Sequence, residues 1–379
     1  MSAFDIREAE SRADFDAFVE AAHRANAGST HYVPLLRDEM HWAFDKKKSP
    51  LVQENDVRAF VAFRDGAPVG RIASVVNRAH LAKYNDATGH FGLLQGVDDP
   101  ALFKALLERA AEDLRGKGMR RIQGPFSLTI NHETGILTQG FDEPHVVRTN
   151  YSPPYYGRYI EAAGFSKSID LLAAHCNVAE SDFPARVAKL LEKSRLGKEL
   201  RTYGLTYADW NRKFQLVLGL YNDAWADNWG SIPVSPAEGK WITGLVLPVS
   251  KPAWARIAEW RGDPVAIVSQ IPDVNEAMAD LDGRLMPFGW AKLMYRIHIV
   301  GTKRSRVPMI GVAKKWRGTR VGSLAVSMLL AQAIEQARKA AVEDMEISWM
   351  LETNHAVLNL VESLPAKVTR KFRVYEKGL

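Results

Sequence analysis

The sequence predicts a mixed α/β (α+β) protein built from two similar halves, each a mostly antiparallel sheet flanked by helices. Short β-patterned runs alternate with amphipathic helical runs along the 379 residues. Local echoes in the two halves support a duplication: RDGAPVGRIAS at 64–74 parallels WRGDPVAIVS at 260–269, and TINHETG at 129–135 parallels ETNHAVL at 352–358. Because the two matches occur in the same order at similar offsets, they indicate an internal repeat.

The first half, residues 1–178, begins with a short strand at Ile6 and an amphipathic helix over 14–25. The pair Asp65-Gly66 supplies the positive φ angles of a tight hairpin turn. In chain order we then expect hairpin strands 57–64 and 69–77, a strand at 91–94, a helix over 100–116, a strand at 121–124, a helix at 154–163 and a strand at 169–175.

The second half, residues 202–379, repeats this order after a helical linker over 179–201 that is rich in Lys, Arg and Glu. We expect its last strand to close the sheet of the same half. Its predicted elements are a strand at 204–207, a helix at 214–226, hairpin strands 254–260 and 265–271, a strand and helix within 306–331, a strand at 345–351, a helix at 355–364 and a strand at 371–376.

Composition narrows the function classes. A net charge of +6 and a pI near 9.2 suit an anionic ligand, such as coenzyme A, nucleic acid or an acidic membrane face. The basic residues are dispersed and form no recognised nucleic-acid module, so we expect no nucleic-acid partner. The histidines show no metal-ligand spacing, which predicts no metal.

The probable compartment follows from the single cysteine and the apolar runs. Cys176 ends an apolar run, so we expect a buried thiol, no disulfide and a reducing compartment. The N-terminal MSAFDIREAESRADF lacks a charged-then-apolar leader, and no apolar run approaches the roughly 18 residues that span a bilayer. These observations predict a cytoplasmic protein.

The stretch RVPMIGVAKKWRGTRVGSLAVSMLLA at 306–331 carries the clearest chemical signal. An apolar strand passes through a basic, glycine-containing turn into a helix, and such a turn leaves backbone N–H groups that suit a phosphate. Lys314, Lys315, Arg317 and Arg320 add positive charge. The same residues also fit a plain strand–turn–helix connection with a solvated basic turn, and the two interpretations remain open.

The turn resembles the pyrophosphate loop of GNAT acyltransferases, [Q/R]-x-x-G-x-[G/A]. Arg317 takes the first position and Gly322 the last, while Arg320 replaces the usual middle glycine. Across nearly the whole chain, the sequence is similar to bacterial tandem-GNAT proteins, a group that includes the bacterial ceramide synthases. The segments that carry this resemblance are NHETGILTQGFDEP, YSPPYYGRYIEAAGF, YNDAWADNWGSIP, LDGRLMPFGW and SWMLETN.

The resemblance implies an acyl-CoA-dependent N-acyltransferase, with the amine of a long-chain sphingoid base as a candidate acceptor. It places acyl-CoA on the strand that precedes the turn, on the turn itself, and on the Asn that follows the fifth strand. In this sequence those residues are Met309, Ile310, Gly311, Val312, Ala313, Arg317, Gly318, Thr319, Arg320, Val321, Gly322, Ser323 and Asn354.

The general acid of many GNAT enzymes, a Tyr one or two turns after that Asn, is absent from HAVLNLVESL. Candidates for the base are Glu352 and His355 in the second half, and His132 and Glu133 at the matching place in the first. Helix capping or an ordinary loop explains these residues equally simply. The first half has no basic phosphate turn, since FGLLQGVDDPALFKALL lacks basic residues there. We therefore expect it to bind no CoA and to form the acceptor side.

Aromatic residues are candidates for the acceptor pocket, although such clusters are also typical of a core. The segment 284–306 has a helix-period apolar surface flanked by basic residues, which suits a lipid substrate or peripheral contact with the inner membrane, and equally a helix packed on its domain. The candidate substrate residues are Tyr151, Tyr155, Tyr156, Trp225, Trp229 and Trp290.

Two other functions remain open at this stage. One is an N-acetyltransferase that uses acetyl-CoA on a small amine or a peptide. The other is a catalytically degenerate GNAT-like binding protein, which the Arg320 substitution and the missing Tyr would fit.

Overall fold

The computed structural model describes residues 4–379, so the first three residues of the stretch read for a leader lie outside the described residues. The chain forms two compact units. Unit 1 comprises residues up to 171 together with 278–286 and 370–379, and unit 2 comprises 172–277 and 287–369. Each unit is a mostly antiparallel sheet with helices, which confirms the predicted mixed α/β class.

The first half of the chain contains the hairpin and the central helix that the sequence predicts. Its strands are β1 (Asp5–Glu8), β2 (Asn55–Arg64), β3 (Ala67–Asn77), β4 (Thr88–Gly96), β5 (Arg121–Gly124), β6 (Ile136–Gln139) and β7 (Ser166–Asn177). Its helices are α1 (Arg12–Ala25), α2 (Arg37–Ala43), α3 (Pro50–Gln53), α4 (Arg78–Tyr84), α5 (Pro100–Gly116) and α6 (Tyr155–Ala162).

The second half repeats the pattern with longer connections. Its strands are β8 (Leu200–Gly204), β9 (Ala255–Trp260), β10 (Asp263–Pro272), β11 (Arg304–Val312), β12 (Asp344–Leu351) and β13 (Ala366–Gly378). Its helices are α7 (Phe183–Lys193), α8 (Arg195–Glu199), α9 (Tyr207–Trp225), α10 (Pro236–Val246), α11 (Val274–Met278), α12 (Gly289–Tyr295), α13 (Arg320–Lys339) and α14 (His355–Glu362).

In unit 1 the strand order is β1-β2-β3-β4-β5-β13, and β6 also pairs with β13. Neighbours are antiparallel except β4 and β5, which run parallel. The buried side of α5, which includes Leu102 and Leu106, packs on one face of this sheet with Phe60 and Ile72. Helix α1 packs against β3 and β4.

In unit 2 the strand order is β12-β11-β10-β9-β8, with β11 and β12 parallel. One face is covered by α13, whose Leu329, Ile334 and Ala337 are fully buried. A smaller apolar cluster joins Val217 and Leu220 of α9 to Ile267 of β10. Two different helices, α13 and α9, therefore pack on this sheet, as α5 and α1 do in unit 1.

Both hairpins are closed by the turn residues that the sequence indicates. Asp65 and Gly66 have φ angles of 51° and 76°, and Arg261 and Gly262 have 52° and 83°. Two successive positive φ angles are typical of the tight turns that match the twist of the flanking strands. The pairing of β2 with β3, and of β9 with β10, confirms both predicted hairpins.

The last strand and the linker differ from the sequence-based expectation. Strand β13 pairs with β5 and β6, so its end belongs to unit 1, where Tyr375 joins the main apolar cluster. The predicted helical linker over 179–201 forms helices α7 and α8, and it is packed on unit 2, because Phe183 and Val187 are buried in the apolar cluster that includes α13. The units divide within β7, within β13 and on either side of 278–286, whereas the sequence placed the divisions at 178 and 202.

The segment expected to be an amphipathic helix over 284–306 forms a shorter helix. α12 continues into a π-helical turn over Arg296–Val300, and β11 begins at Arg304. Leu293 and Ile297 are buried, which anchors the segment to its unit. None of the helices within residues 4–379 is both long and apolar enough to cross a bilayer.

Candidate functional site

Strand β11 leaves its parallel neighbour β12 halfway along its length. The two strands pair from Arg304 with Asp344 to Val307 with Ile347, and no pairing follows. Pro308 comes directly after the last paired residue and has no N–H to donate. The remaining residues of β11 therefore border a gap in the sheet.

A β-bulge marks the same point on the other side of β11. Ser269 pairs with Met309 and Ile271 pairs with Arg306, so β11 has one residue more than β10 between these pairs. A bulge bends its strand and increases the local twist. The bulge and Pro308 together account for the divergence of β11 from β12.

Two backbone N–H groups of β11 are directed towards the gap. The N–H of Ala313 donates to the carbonyl of Val265 in the segment that β11 pairs with. Since successive residues of an antiparallel strand point their N–H groups to opposite sides, those of Ile310 and Val312 point away from β10. Gly311 lies between them, and a Cβ there would approach the Trp225 ring to 2.4 Å.

The turn after β11 is tightly packed and leaves N–H groups available. A Cβ on Gly322 would lie 2.1 Å from the carbonyl oxygen of Trp316, so this position requires glycine. The Thr319 hydroxyl caps α13 by accepting from the Gly322 N–H at 3.0 Å. Within residues 4–379, the backbone N–H groups of Gly318, Arg320 and Val321 have no hydrogen-bond partner.

Most of the basic side chains at this turn are already paired. Arg317 donates to Asp227 at 2.8 Å and to the carbonyls of Asp223 and Ala224, which ties the turn to the end of α9. Lys314 also binds Asp227, and Lys315 binds Asp263 at 2.6 Å.

Arg320 differs from these neighbours. Its side chain is exposed and makes no hydrogen bond or ion pair with any residue from 4 to 379. Because it is the first residue of α13, its guanidinium and the free N–H groups occupy the same helix end. Ser323 is exposed one turn further, and its N–H bonds to Thr319.

The end of β12 carries the candidates for a proton acceptor. Asn354 caps α14, since its side chain accepts from the Val357 N–H at 3.3 Å. His355 is exposed at the first position of that helix, and Glu352 is half-buried just before it. The catalytic roles of His355 and Glu352 remain predictions.

A buried polar network lies where β11 and β12 are still paired. Arg306 donates to the Ser348 hydroxyl at 2.8 Å, and Ser348 donates to Glu346 at 2.6 Å. His175 sits between Asp344 at 2.6 Å and Glu346 at 3.2 Å. Burial lowers the pKa of His175, but its hydrogen bonds to the two carboxylates outweigh burial and raise that pKa to about 9.

Unit 1 contains the same divergence of strands. β4 pairs with β5 only from Thr88 to His90, and β4 has one extra residue relative to β3 between Gly92 and Gln95. The gap that follows is filled by the chain itself. The Phe126 N–H donates to the Phe91 carbonyl at 2.9 Å.

Two tyrosines of α6 also occupy the gap beside β4, where their hydroxyls bond to the end of that strand. The Tyr156 hydroxyl accepts from the Gly96 N–H at 2.9 Å and donates to Gln95, while Tyr155 donates to the Gly96 carbonyl at 2.9 Å. Tyr156 is fully buried.

The start of α5 is also occupied, in contrast to the start of α13. Asp99 accepts from the N–H groups of Ala101 and Leu102, and Pro100 has no N–H. A carboxylate at this position repels a phosphate. That the first half binds no CoA stays a prediction.

The candidate acceptor residues lie in different environments. Tyr151 is buried and accepts from Ser29, and Tyr155 and Tyr156 pack on Phe103. Trp225 and Trp229 are half-buried in unit 2, where Trp225 stacks on Tyr221 with ring centroids 4.6 Å apart. Trp290 is exposed.

Glu133 forms an ion pair. Its carboxylate accepts from Arg148 at 3.0 Å, and Arg148 also binds Glu39. Burial raises the pKa of Glu133, but the charge of Arg148 outweighs it and holds that pKa at about 2. So low a pKa makes Glu133 a weak proton acceptor. The neighbouring candidate, His132, is half-buried.

The sequence interpretation overlooked Asp223 and Asp227, which neutralise the basic turn. They are four residues apart in YNDAWADNW, with Asp223 in the last turn of α9 and Asp227 just after the helix ends at Trp225. That spacing was the sequence signal that could have identified them.

Within residues 4–379, no group of three or more His, Cys, Asp or Glu side chains is placed to hold a metal ion.

Known proteins were compared with the chain as a whole. No family model matches it. The bacterial ceramide synthase of Caulobacter vibrioides is 34% identical over 97% of this chain and 95% of its own length. The chain belongs to the bacterial tandem-GNAT acyltransferase family that includes this protein. Protein YghO of Escherichia coli, another relative, is 32% identical over 99% of this chain and 95% of its own length.

Solved structures of GNAT proteins share the fold. A tandem GNAT protein from the clavulanic acid biosynthesis pathway has a TM-score of 0.58 at 12% identity, covering 99% of this chain and 98% of its own. A GCN5-related N-acetyltransferase from Sphaerobacter thermophilus has a TM-score of 0.54 at 12% identity, covering 99% and 95%. The reaction class of the family is N-acyl transfer.

Proposed function

We propose that this tandem-GNAT protein transfers an acyl group from acyl-CoA to the amine of a long-chain sphingoid base. Unit 2 holds the donor in this proposal. The observation that carries it is the gap beside β11, which has unpaired N–H groups along the strand and at the following helix end.

The donor fits the gap in two ways. An extended pantetheine chain can pair with the N–H and carbonyl groups of Ile310 and Val312 as an added strand. The diphosphate can accept from the free N–H groups at the start of α13, with Arg320 as the available cation. Arg317 in this scheme shapes the turn through Asp227 instead of binding phosphate itself.

The chemistry requires a site for negative charge and a proton acceptor. When an amine attacks the thioester carbonyl, a backbone N–H of Ile310 or Val312 stabilises the oxyanion, and one such donor contributes roughly 3–4 kcal/mol. The ammonium proton must pass to a base, for which Glu352 and His355 at the end of β12 are the candidates. Glu133 is the weaker candidate because of its ion pair with Arg148.

A lipid acceptor is supported by the apolar surface beside α12. Phe288, Tyr295 and Ile299 are large apolar side chains with 79%, 59% and 72% of their surface exposed, and Trp290 and Val300 are exposed in the same segment. Exposed apolar clusters of this kind mark interaction surfaces. We propose that the segment contacts the membrane surface from which the sphingoid base is drawn.

Donor length and acceptor class are tested together by thiol release. We expect palmitoyl-CoA with sphinganine to give turnover and acetyl-CoA with a small amine to give little. The reverse preference would make the protein an N-acetyltransferase of small amines. If isothermal titration detects binding of neither acyl-CoA, the enzyme proposal fails and a degenerate binding protein remains.

The membrane contact is tested with a matched pair of variants. In co-sedimentation with phosphatidylcholine vesicles containing 20% phosphatidylglycerol, Phe288→Ser with Ile299→Ser should reduce binding several-fold. Trp42→Ser, which removes an exposed tryptophan of unit 1, is the control and should bind like wild type. Equal binding of the double variant and wild type would rule out this surface.

A further inference from the structure

Arg71 of β3 is a buried cation without a carboxylate partner. Only 5% of its surface is exposed. Nη1 donates to the Phe18 carbonyl at 3.2 Å, and the guanidinium lies 4.7 Å from the Phe18 ring centre. Its Nε–H is buried and unbonded, and Nη2 has no partner within residues 4–379. An arginine has five N–H donors, so most of its bonding capacity is unused.

Polar groups of Gln95, Asn26 and Tyr32 lie around Arg71. Gln95 is its direct partner across β3 and β4, so the two side chains share one face of the sheet. Gln95 accepts from Asn26 at 2.9 Å, and the Oδ1 atom of Asn26 is buried without a partner. Tyr32 and Tyr156 both lie close enough to Arg71 to influence its pKa. The Tyr32 hydroxyl makes no hydrogen bond within the described chain.

Burial lowers the pKa of Arg71 only to about 10, so the side chain remains charged near neutral pH. Burial also raises the pKa of Tyr32, which keeps its phenol protonated as an O–H donor. A buried charge is costly unless it is paired. The cluster therefore presents a positive charge, the unbonded Nε and Nη2 donors of Arg71 and the Tyr32 hydroxyl, and no carboxylate within residues 4–379 bonds to them.

The repeat supplies an internal comparison. Arg71 lies five residues after the turn glycine Gly66, and Ile267 lies five residues after Gly262 in the matching hairpin. Ile267 is fully buried in the apolar cluster with α9. Since the same place in the fold takes an isoleucine, the hairpin does not require an arginine there.

We propose that Arg71 is the centre of an oxyanion-binding site in unit 1, whose ligand is a phosphate or carboxylate group. The guanidinium binds the oxyanion through Nε and Nη2, and the Tyr32 hydroxyl donates a further hydrogen bond. The oxyanion comes either from a free anion or from a phosphorylated amine that serves as the acceptor. The second source rests on the proposed acyl transfer, and the first does not.

The site is tested by melting temperature in sodium phosphate and sodium acetate against sodium chloride at equal ionic strength. We expect phosphate or acetate to raise the melting temperature of the wild-type chain. Arg71→Ile, which takes its side chain from the matching position of unit 2, should melt at the same or a higher temperature in chloride. Its affinity for the anion should fall about tenfold or more, the usual effect of losing a charge-assisted hydrogen bond.

The control is Arg109→Met, because Arg109 lies 4.3 Å from the Phe60 ring centre in the same unit. It should keep the full anion response. Tyr32→Phe removes one hydroxyl only, and should weaken the response several-fold even if Arg71→Ile does not fold. The proposal is overturned if neither anion stabilises wild type, or if both site variants respond like wild type.

The source of the oxyanion is identified by acceptor kinetics. If the acceptor carries the oxyanion, sphinganine phosphate should have a lower KM than sphinganine. Arg71→Ile should then raise the KM for sphinganine phosphate and leave the KM for sphinganine unchanged. Equal KM values with a retained anion response assign the site to a free anion. If no acceptor gives thiol release while the anion response persists, the acyl-transfer proposal fails and the oxyanion site stands.

Discussion

In unit 1, β4 leaves β5 after His90, and in unit 2, β11 leaves β12 after Val307. Both diverging strands carry a bulge of one residue. In unit 1 the space is filled by Phe126 and by two tyrosine hydroxyls of α6, whereas in unit 2 the N–H groups of Ile310 and Val312 face the gap. The space beside the diverging strand is therefore filled in unit 1, the closed half, and bordered by unpaired N–H groups in unit 2, the open half.

The helix that follows each diverging strand shows the same contrast. Asp99 places a carboxylate at the start of α5, while α13 starts with an uncharged Thr319 cap followed by Arg320. A helix N-terminus attracts anions, and a resident carboxylate removes that attraction. The comparison teaches that the two halves share the divergence of strands, while side chains at a few positions decide whether the gap and the following helix end are occupied.

The largest effect is expected from Gly322→Ala. The added Cβ would lie 2.1 Å from the Trp316 carbonyl oxygen, so the turn must move. Steady-state kinetics should show a rise in KM for acyl-CoA of about 100-fold, which corresponds to roughly 3 kcal/mol. Gly219→Ala is the control, because a Cβ at Gly219 in α9 meets no atom within 4 Å. An unchanged KM in Gly322→Ala would contradict a role for this turn in donor binding.

A smaller effect is expected when the charge at the open helix end is reversed. Arg320→Glu should raise the dissociation constant of acyl-CoA about 10- to 30-fold, because a carboxylate then faces the diphosphate. Lys104→Glu makes the same charge change at an exposed position of α5 in unit 1 and should leave donor affinity unchanged. Isothermal titration measures the acyl-CoA dissociation constant of each variant. An equal loss of affinity in the two variants would mean that net charge alone, and not the position of Arg320, sets donor binding.

The closed half should respond through stability instead of donor binding. Tyr156→Phe removes the hydroxyl that accepts from Gly96 and donates to Gln95. We expect a loss of about 1–3 kcal/mol in the free energy of unfolding, the cost of a buried unpaired donor, with KM for acyl-CoA unchanged. Tyr159→Phe removes an exposed hydrogen bond to Asp98 and should cost less. Denaturant titration compares them, and a raised KM in Tyr156→Phe would refute the assignment of the closed half.

The last effect concerns the pH dependence of stability. His175 in unit 2 has its pKa raised to about 9 through Asp344 and Glu346, so the folded state binds the proton more tightly than the unfolded state. This stabilisation is complete below about pH 6.5 and is lost as pH rises towards 9, an effect on the order of 3 kcal/mol. His175→Gln should flatten stability between pH 6.5 and 9, while His41→Gln in unit 1 should retain the slope. Equal slopes in the two variants would contradict the effect.

Local patterns predicted the local structure well. Asp65-Gly66 predicted its hairpin because two positive φ angles suit those residue types, and the helix over 100–116 follows from its apolar spacing. The pairing of β13 with β5 was not predictable, since a period-two pattern identifies a strand but not its neighbour. For the same reason the pairing of Arg317 with Asp227, 90 residues earlier in the chain, could not be read from the basic turn.

Arg71 shows a different limit. In the run VGRIASVV it interrupts an apolar strand, and the sequence alone does not tell whether a carboxylate lies opposite. Only the coordinates show that its neighbours are Phe18, Gln95 and tyrosines. Sequence patterns therefore identify the elements, and the unused bonding groups that define a site emerge from packing.

The central claim is that acyl-CoA binds the open half and not the closed one. Hydrogen exchange of the full chain with and without palmitoyl-CoA tests it most directly, because it reports on both diverging strands in one measurement. The account predicts slower exchange over 308–322 and no change over 91–102. Protection over 91–102, or none over 308–322 at saturating donor, would contradict it.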